Sequence, residues 1–294
     1  MKIQPSEIVE RRFDRIDRTF VGYLYESWKV CEIINSEQPN FSSKFVVNIG
    51  AGDGVECNDP CYPLYKIGYG GLAIEGEKNE LLHKNLSSEN ITTLTNTFIN
   101  PFNAGALLQQ HKTPVNFDML KIDIDGYDGP VLDAILSAGY RPKLIQAEIN
   151  HEIPPPIEFS VMYHSIYKVH DSDGMFSPFY GMSLSFLAKI ARKFGYHIAY
   201  LDNITPLTHD AILIRNDLSE IVGSNLDMTN QSIEKMYYDH PPTGSHFLSY
   251  GINPFEWRDE KDKTKLANSV WIACFASSVK KFNGAYPFYF SIAE

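Results

Sequence analysis

Cysteine is scarce in this chain of 294 residues: four, scattered at positions 31, 57, 61 and 274. That scarcity excludes a disulfide scaffold, and a reduced, cytoplasmic setting is the expected one. Cys57 and Cys61 suit one helical face, but no second pair of ligands accompanies them, which argues against zinc. No apolar run reaches the roughly 20 residues that span a bilayer. The opening "MKIQPSEIVERRFDRIDRTF" is too charged for the apolar segment of a signal peptide. A membrane partner is therefore not expected. Basic residues are outnumbered, 26 Lys and Arg against 36 Asp and Glu, for a formal net charge of -10. A nucleic acid gripped through its phosphates calls for a basic face, so no nucleic-acid partner is expected either. The short basic clusters "RRFDR" and "SSVKKF" read as solvated surface. Internal repeats and low-complexity segments are lacking as well.

What is present is a hydrophobic share of 44%, ample for one large α/β domain with an extension. "IVERRFDRIDRTFVGYLYESW" places Phe13, Ile16, Phe20 and Leu24 at helical spacing, so residues 1–43 read as a helical segment packing on the core. From residue 44 short apolar runs alternate with helical stretches. "FVVNI" (45–49), "GLAIE" (71–75), "TTLT" (92–95), "DMLKID" (118–123) and "LIQAE" (144–148) read as buried parallel strands. "EKNELLHKNL" and "GPVLDAILSAGY" read as helices, the second with Pro130 in its first turn and Gly139 at its end. In "MSLSFLAKIARKFGY", Leu184, Leu187, Ala188 and Ala191 form an apolar stripe. "HIAYL" and "DAILIR" then supply two more strands, closing a seven-stranded, doubly wound, mostly parallel sheet over residues 44–218. Residues 219–294 form a C-terminal extension rich in Tyr, Pro and Asn, in which "VWIACFA" reads as a further strand.

"VVNIGAGDGVEC" (46–57) ends the first strand at Gly50, Gly52 and Gly54, with Asp53 between the last two. Three glycines in five residues indicate that something approaches the backbone closely. In a doubly wound sheet that turn lies where ligands bind, beyond the carboxyl ends of the strands. A dinucleotide fingerprint G-x-G-x-x-G would need its third glycine at 55, which is Val55. About 25 residues on, Glu75 ends the second strand, where a carboxylate can accept hydrogen bonds from both ribose hydroxyls. "KIDIDGYD" puts Asp123 and Asp125 after the fourth strand, and "QAEINHE" puts Glu148, Asn150 and His151 after the fifth. Adjacent strands lie about 5 Å apart, so these groups should converge on one cleft. Asp125 and Asp128 can equally cap the following helix.

The G-x-G-x-G spacing is similar to the first motif of class I S-adenosylmethionine-dependent methyltransferases. More closely, "VVNIGAGDGVECNDPCYPLYKIGYGGLAIEGE", "FDMLKIDIDGYDGPVL", "EINHEIPPP" and "DAILIRNDL" resemble FkbM-like methyltransferases, over roughly residues 44–218. The resemblance implies a Rossmann-like methyltransferase sheet that binds S-adenosylmethionine. It implies that Gly50, Ala51, Gly52 and Asp53 line the methionine moiety and Glu75 the ribose. Asn96, Thr97 and Phe98 would hold the adenine, although Phe98 could equally be core packing, and Asp123 would also touch the cofactor. Asn48 departs from the pattern, standing where many relatives carry an acid, so Asp53 or a backbone carbonyl would hold the cofactor's amino group.

Three chemistries stay open at the strand ends. His151 or Asp123 can act as general base on an acceptor oxygen. Asp123, Asp125 and Glu148 can hold Mg2+ or Mn2+, as the resemblance to macrocin-type sugar O-methyltransferases implies. Or the carboxylates simply orient the acceptor, since direct displacement can proceed from positioning alone. The expected reaction is O-methylation of a small-molecule or carbohydrate-like acceptor. The rivals are a non-catalytic relative of the fold and a nicotinamide-dependent oxidoreductase. His164, His170, His209, His240 and His246 are too dispersed to name as ligands. The late aromatic segments, among them "MYYDHPPTGSHFLSYG", can serve substrate stacking, a lid, or the contacts of a homodimer.

Overall fold

The computed structural model describes residues 26–38, 42–55, 59–87, 89–165, 167, 169, 177–203, 209–221, 232–239, 245–281 and 287–293. The expected N-terminal helix through Phe13, Ile16, Phe20 and Leu24 lies outside these, as do Cys57, His170 and His240. The first described helix, α1 (Glu26–Glu37), buries Trp28, Val30, Cys31 and Ile34.

Seven strands form the main sheet: β1 (Phe45–Ile49), β2 (Gly70–Ile74), β3 (Ile91–Leu94), β4 (Met119–Ile122), β5 (Leu144–Ile149), β7 (Tyr196–Asn203) and β8 (His209–Arg215). Their spatial order is β3-β2-β1-β4-β5-β8-β7. The first five are parallel, while β8 runs antiparallel to both β5 and β7. This is the doubly wound, mostly parallel seven-stranded sheet that the alternating pattern predicts. The order reverses between β1 and β4, which makes that edge of the crevice the switch point.

Both faces are covered, which is why the strands read as continuous apolar runs. On one face Val47, Ile49, Leu120 and Ile122 pack against α4 (Ala104–Gln110), α5 (Asp128–Ser137) and α6 (Leu184–Phe194). On the other, Val46, Ala73, Met119 and Leu144 meet α1, α2 (Tyr62–Lys66) and α3 (Glu80–Leu86). Helix α6 has the expected buried stripe. Ser183 caps its start by accepting the Phe186 N–H, and Gly195 (φ +76°) ends it.

A third cluster lies outside the sheet. The insertion between β5 and α6 carries β6 (Ile157–Val161), which pairs antiparallel with β9 (Phe288–Ile292) near the C-terminus. Phe159, Phe179, Phe247, Trp257 and Val270 pack there, joined by α8 (Pro254–Asp259) and α9 (Lys263–Lys281). Helix α7 (Ile233–Asp239) instead buries Met236 and Tyr237 against the main core. The "VWIACFA" segment is part of helix α9, not a strand. Leu266, Val270 and Cys274 recur every four residues on the buried side, while Trp271, Ile272 and Phe275 face outward. A short apolar run without its flanks does not distinguish the two.

Candidate functional site

A cavity of about 680 Å³ opens at the carboxyl ends of β1 to β4. Gly50 and Gly52 enter its wall from β1, Glu75 to Glu77 from β2, Thr97 to Ile99 from β3, and Asp123 to Tyr127 from β4. The three glycines have different tasks. A Cβ on Gly50 (φ +75°) would stand 1.6 Å from the Asp123 carbonyl oxygen, so this residue lets β1 and β4 close at the switch point. A Cβ on Gly54 would meet Leu82 and Leu86 of α3 at 2.9 Å. Only Gly52 (φ +54°) faces open space, with nothing within 4 Å of an added Cβ. The close approach that the motif suggests is thus made to the protein itself at two positions, and a ligand has room at the third.

Glu75 accepts hydrogen bonds from Gly52 N–H (2.8 Å) and Glu77 N–H (3.0 Å). Phe98 is 63% exposed, with its ring lying on Gly76, which settles the core-packing alternative against it. Thr97 joins it in the wall. Asn96 (φ +54°) does not line the cavity, but its N–H binds the Glu77 carbonyl and shapes the turn. Ala51 is buried against the core and Asp53 is turned to its own loop. The Asp53 carboxylate accepts Val55 N–H, and the Asn85 amide binds both its carbonyl and its carboxylate. Neither Ala51 nor Asp53 is among the lining residues.

Asn48 likewise points away from the cavity: its amide donates to Asp59 at 2.6 Å. Burial pushes the Asp59 carboxyl up, against the pull of Lys121 and of its hydrogen bonds. Lys121 pairs with Asn48 across the strands, and its buried ammonium reaches the Gly50 carbonyl at 2.8 Å and Asp123 at 3.1 Å. Burial alone would lower its pKa, but the charges of Asp123, Asp59 and Asp210 outweigh that and hold it up. Nothing in the expected site includes this lysine. Its signal was a charge in the middle of an apolar strand, "MLKI".

The carboxylates converge as expected. Asp123, Asp125 and Glu148 each bring one oxygen within 4.8 Å of the others. Asp125 sits at φ +53°, and Asp128 holds this loop by accepting the N–H groups of Ile124 (2.8 Å) and Gly126 (3.0 Å). Asp128 is therefore the structural residue of the group. Glu148 is buried, its Oε2 has no hydrogen-bond partner, and Asp210 lies directly opposite on β8. Burial first, then the charges of Asp123 and Asp125, push its carboxyl well above the usual range.

His151 does not join them. It is 2% exposed on the loop after β5 and is not among the residues that line the cavity. The neighbouring Asn150 amide binds the carbonyls of Pro178 and Tyr180, and Glu152 accepts the Ser245 hydroxyl and the His246 N–H (2.8 Å). This loop anchors the C-terminal residues. Tyr167 ties the insertion to the site, its one hydroxyl proton lying between the carbonyls of Phe179 (3.0 Å) and Asp125 (3.2 Å). His164 is exposed, and His246 packs edge-on against Tyr180. Among the described residues no helix is long and apolar enough to cross a membrane.

No protein family matches the chain, and no curated protein matches it. Among solved structures it is similar to the 1,6-didemethyltoxoflavin-N1-methyltransferase of Burkholderia thailandensis, solved with S-adenosylhomocysteine. The identity is 12%, over 72% of this chain and 87% of that one, at a TM-score of 0.39. A protein of the NADB-Rossmann superfamily from Streptococcus agalactiae is 14% identical over 87% of this chain and 92% of its own, at 0.39. An O-methyltransferase family protein from Burkholderia thailandensis is 10% identical over 73% of this chain and 64% of its own, at 0.36.

Proposed function

We propose that the chain is an S-adenosylmethionine-dependent methyltransferase that modifies an oxygen of a small acceptor. The observation that carries this reading is the pairing of Gly52 with Glu75: a glycine open to the cavity, held by a carboxylate at the end of the adjacent strand. Gly50 and Gly52 would face the methionine end, with Ala51 and Asp53 shaping the turn from behind. Glu75 uses two of its roughly four acceptor positions on backbone N–H groups, leaving others for ribose hydroxyls. Thr97 and the exposed ring of Phe98 would flank the adenine. The cofactor, when bound, supplies an electrophilic methyl group on a sulfonium. The chain must then position the acceptor and accept one proton from its hydroxyl. Asp123 and Asp125, which line the cavity, would accept that proton; His151, buried and outside the lining, would not.

A second reading of the same carboxylates has its own support in the partnerless, buried Oε2 of Glu148. Three converging oxygen donors suit Mg2+ or Mn2+, which would offset their mutual repulsion and acidify the acceptor hydroxyl. A thermal-shift comparison tests the cofactor assignment, because a ligand stabilises the fold it binds. S-adenosylhomocysteine should raise the melting temperature and NAD should not. Stabilisation by NAD alone overturns the reading.

A further inference from the structure

A row of aromatic rings that the sheet does not require starts in the cavity wall. Tyr127 lines the cavity. Tyr163 meets it edge to face with centroids 5.0 Å apart, and Phe102 meets Tyr163 in the same way at 5.8 Å. Phe102 is 85% exposed, and Met162 and Tyr163 are exposed too. Exposed rings in contact with one another offer apolar surface on which a ring-shaped ligand can pack. The loop that presents Phe102 is braced. Asn100 Oδ1 accepts the N–H groups of Phe102 and Asn103, while Asn103 Oδ1 accepts Asn100 N–H and its amide donates to the Phe98 carbonyl. The carbonyl oxygens of both amides and one N–H of Asn103 are thus engaged within the loop, which fixes the backbone that carries Phe102.

Charge narrows the ligand further. The wall contains Glu75, Glu77, Asp123 and Asp125, and no Lys, Arg or His among the described lining residues. The nearby Lys121 is buried and committed to Gly50 and Asp123. An acceptor carrying phosphate, sulfate or carboxylate would meet charge of its own sign.

We propose that the row Tyr127–Tyr163–Phe102 is the acceptor platform, and that the acceptor presents a flat apolar ring and bears no negative charge. The nature of its reactive group rests on the methyltransferase reading. An aromatic hydroxyl compound fits the flat rings; sugar phosphates and nucleotides, which are anionic, do not. Exposed ring edges and faces reward a ring that stacks on or abuts them.

Calorimetric titration of the full chain, with and without S-adenosylhomocysteine, tests this with 2-naphthol, 2-naphthoate and methyl glucoside as probes. The expected result is that 2-naphthol binds and that 2-naphthoate binds at least about tenfold more weakly. Methyl glucoside should give no binding. Phe102→Ala, at a position too exposed to matter to folding, and Tyr163→Ala should each weaken 2-naphthol by roughly three- to tenfold. Neither should alter the affinity for S-adenosylhomocysteine. Absence of 2-naphthol binding, equal binding of the naphthoate, preference for the glucoside, or indifference to both substitutions overturns the proposal. Binding of 2-naphthol by a protein that ignores S-adenosylhomocysteine leaves the platform standing and overturns the methyltransferase reading instead.

Discussion

Glu75 and Gly52 are joined across the cavity wall, the carboxylate accepting the glycine's N–H at 2.8 Å. One side chain at the end of β2 therefore holds the turn that follows β1 and faces the same space. Glu75→Ala should weaken S-adenosylhomocysteine binding by about 1–3 kcal/mol, the scale for hydrogen bonds to a charged group. Calorimetry on the two proteins measures it, and an unchanged affinity would remove Glu75 from the site.

The glycines should separate by phenotype. Gly50→Ala forces a methyl group to within 1.6 Å of the Asp123 carbonyl, so it should cost more than about 4 kcal/mol of stability. Gly52→Ala meets no atom and should cost only the left-handed backbone penalty, about 1–2 kcal/mol. Gly52→Val should still fold, at a lower melting temperature, yet lose cofactor binding. Thermal melts with and without S-adenosylhomocysteine distinguish these outcomes, and normal binding by Gly52→Val would make the turn purely structural.

The carboxylate cluster yields a metal test that needs no acceptor. If Asp123, Asp125 and Glu148 share a divalent ion, Mg2+ or Mn2+ should raise the melting temperature of chelator-treated protein, and Glu148→Gln should abolish that rise. Once an acceptor is in hand, chelator should also inactivate the enzyme. Chelator-insensitive activity that survives His151→Ala but not Asp123→Asn would instead assign the carboxylates to orienting or deprotonating the acceptor.

Stability should depend on pH with an unusual sign. Burial, reinforced by the charge of Asp123, pushes the carboxyl groups of Asp128 and Asp210 up to about 7. An unfolded aspartate titrates near about 3.9. Between those values the folded chain holds more protons than the unfolded chain, so stability falls as pH rises. This contribution is complete below the unfolded value and lost as pH rises through the folded one. Melting temperature should therefore climb as pH is lowered from neutrality toward mild acid. Asp210→Asn, whose amide oxygen can still accept from Gln146, should flatten that slope. Identical slopes in the two proteins would contradict the raised values.

The strands were legible because burial on both faces leaves a one-dimensional mark. "FVVNI" coincides with β1, and the other six runs fall within one or two residues of their strands. The α6 stripe, the turn at Gly50 to Gly54, Glu75 at a strand end and the converging carboxylates follow from the same local patterns. Other features depend on residues distant in the chain. Asn48 turns to Asp59, Asp53 to Asn85, and Lys121 to Gly50, and each partner was chosen by packing. Strand β6 pairs with β9 across more than a hundred residues, and Val270 is helical because Leu266 and Cys274 share its buried side. Local spacing determined which elements form and in what order. Only tertiary contact decided where each polar side chain points, because a buried polar group takes whichever partner the fold brings within reach.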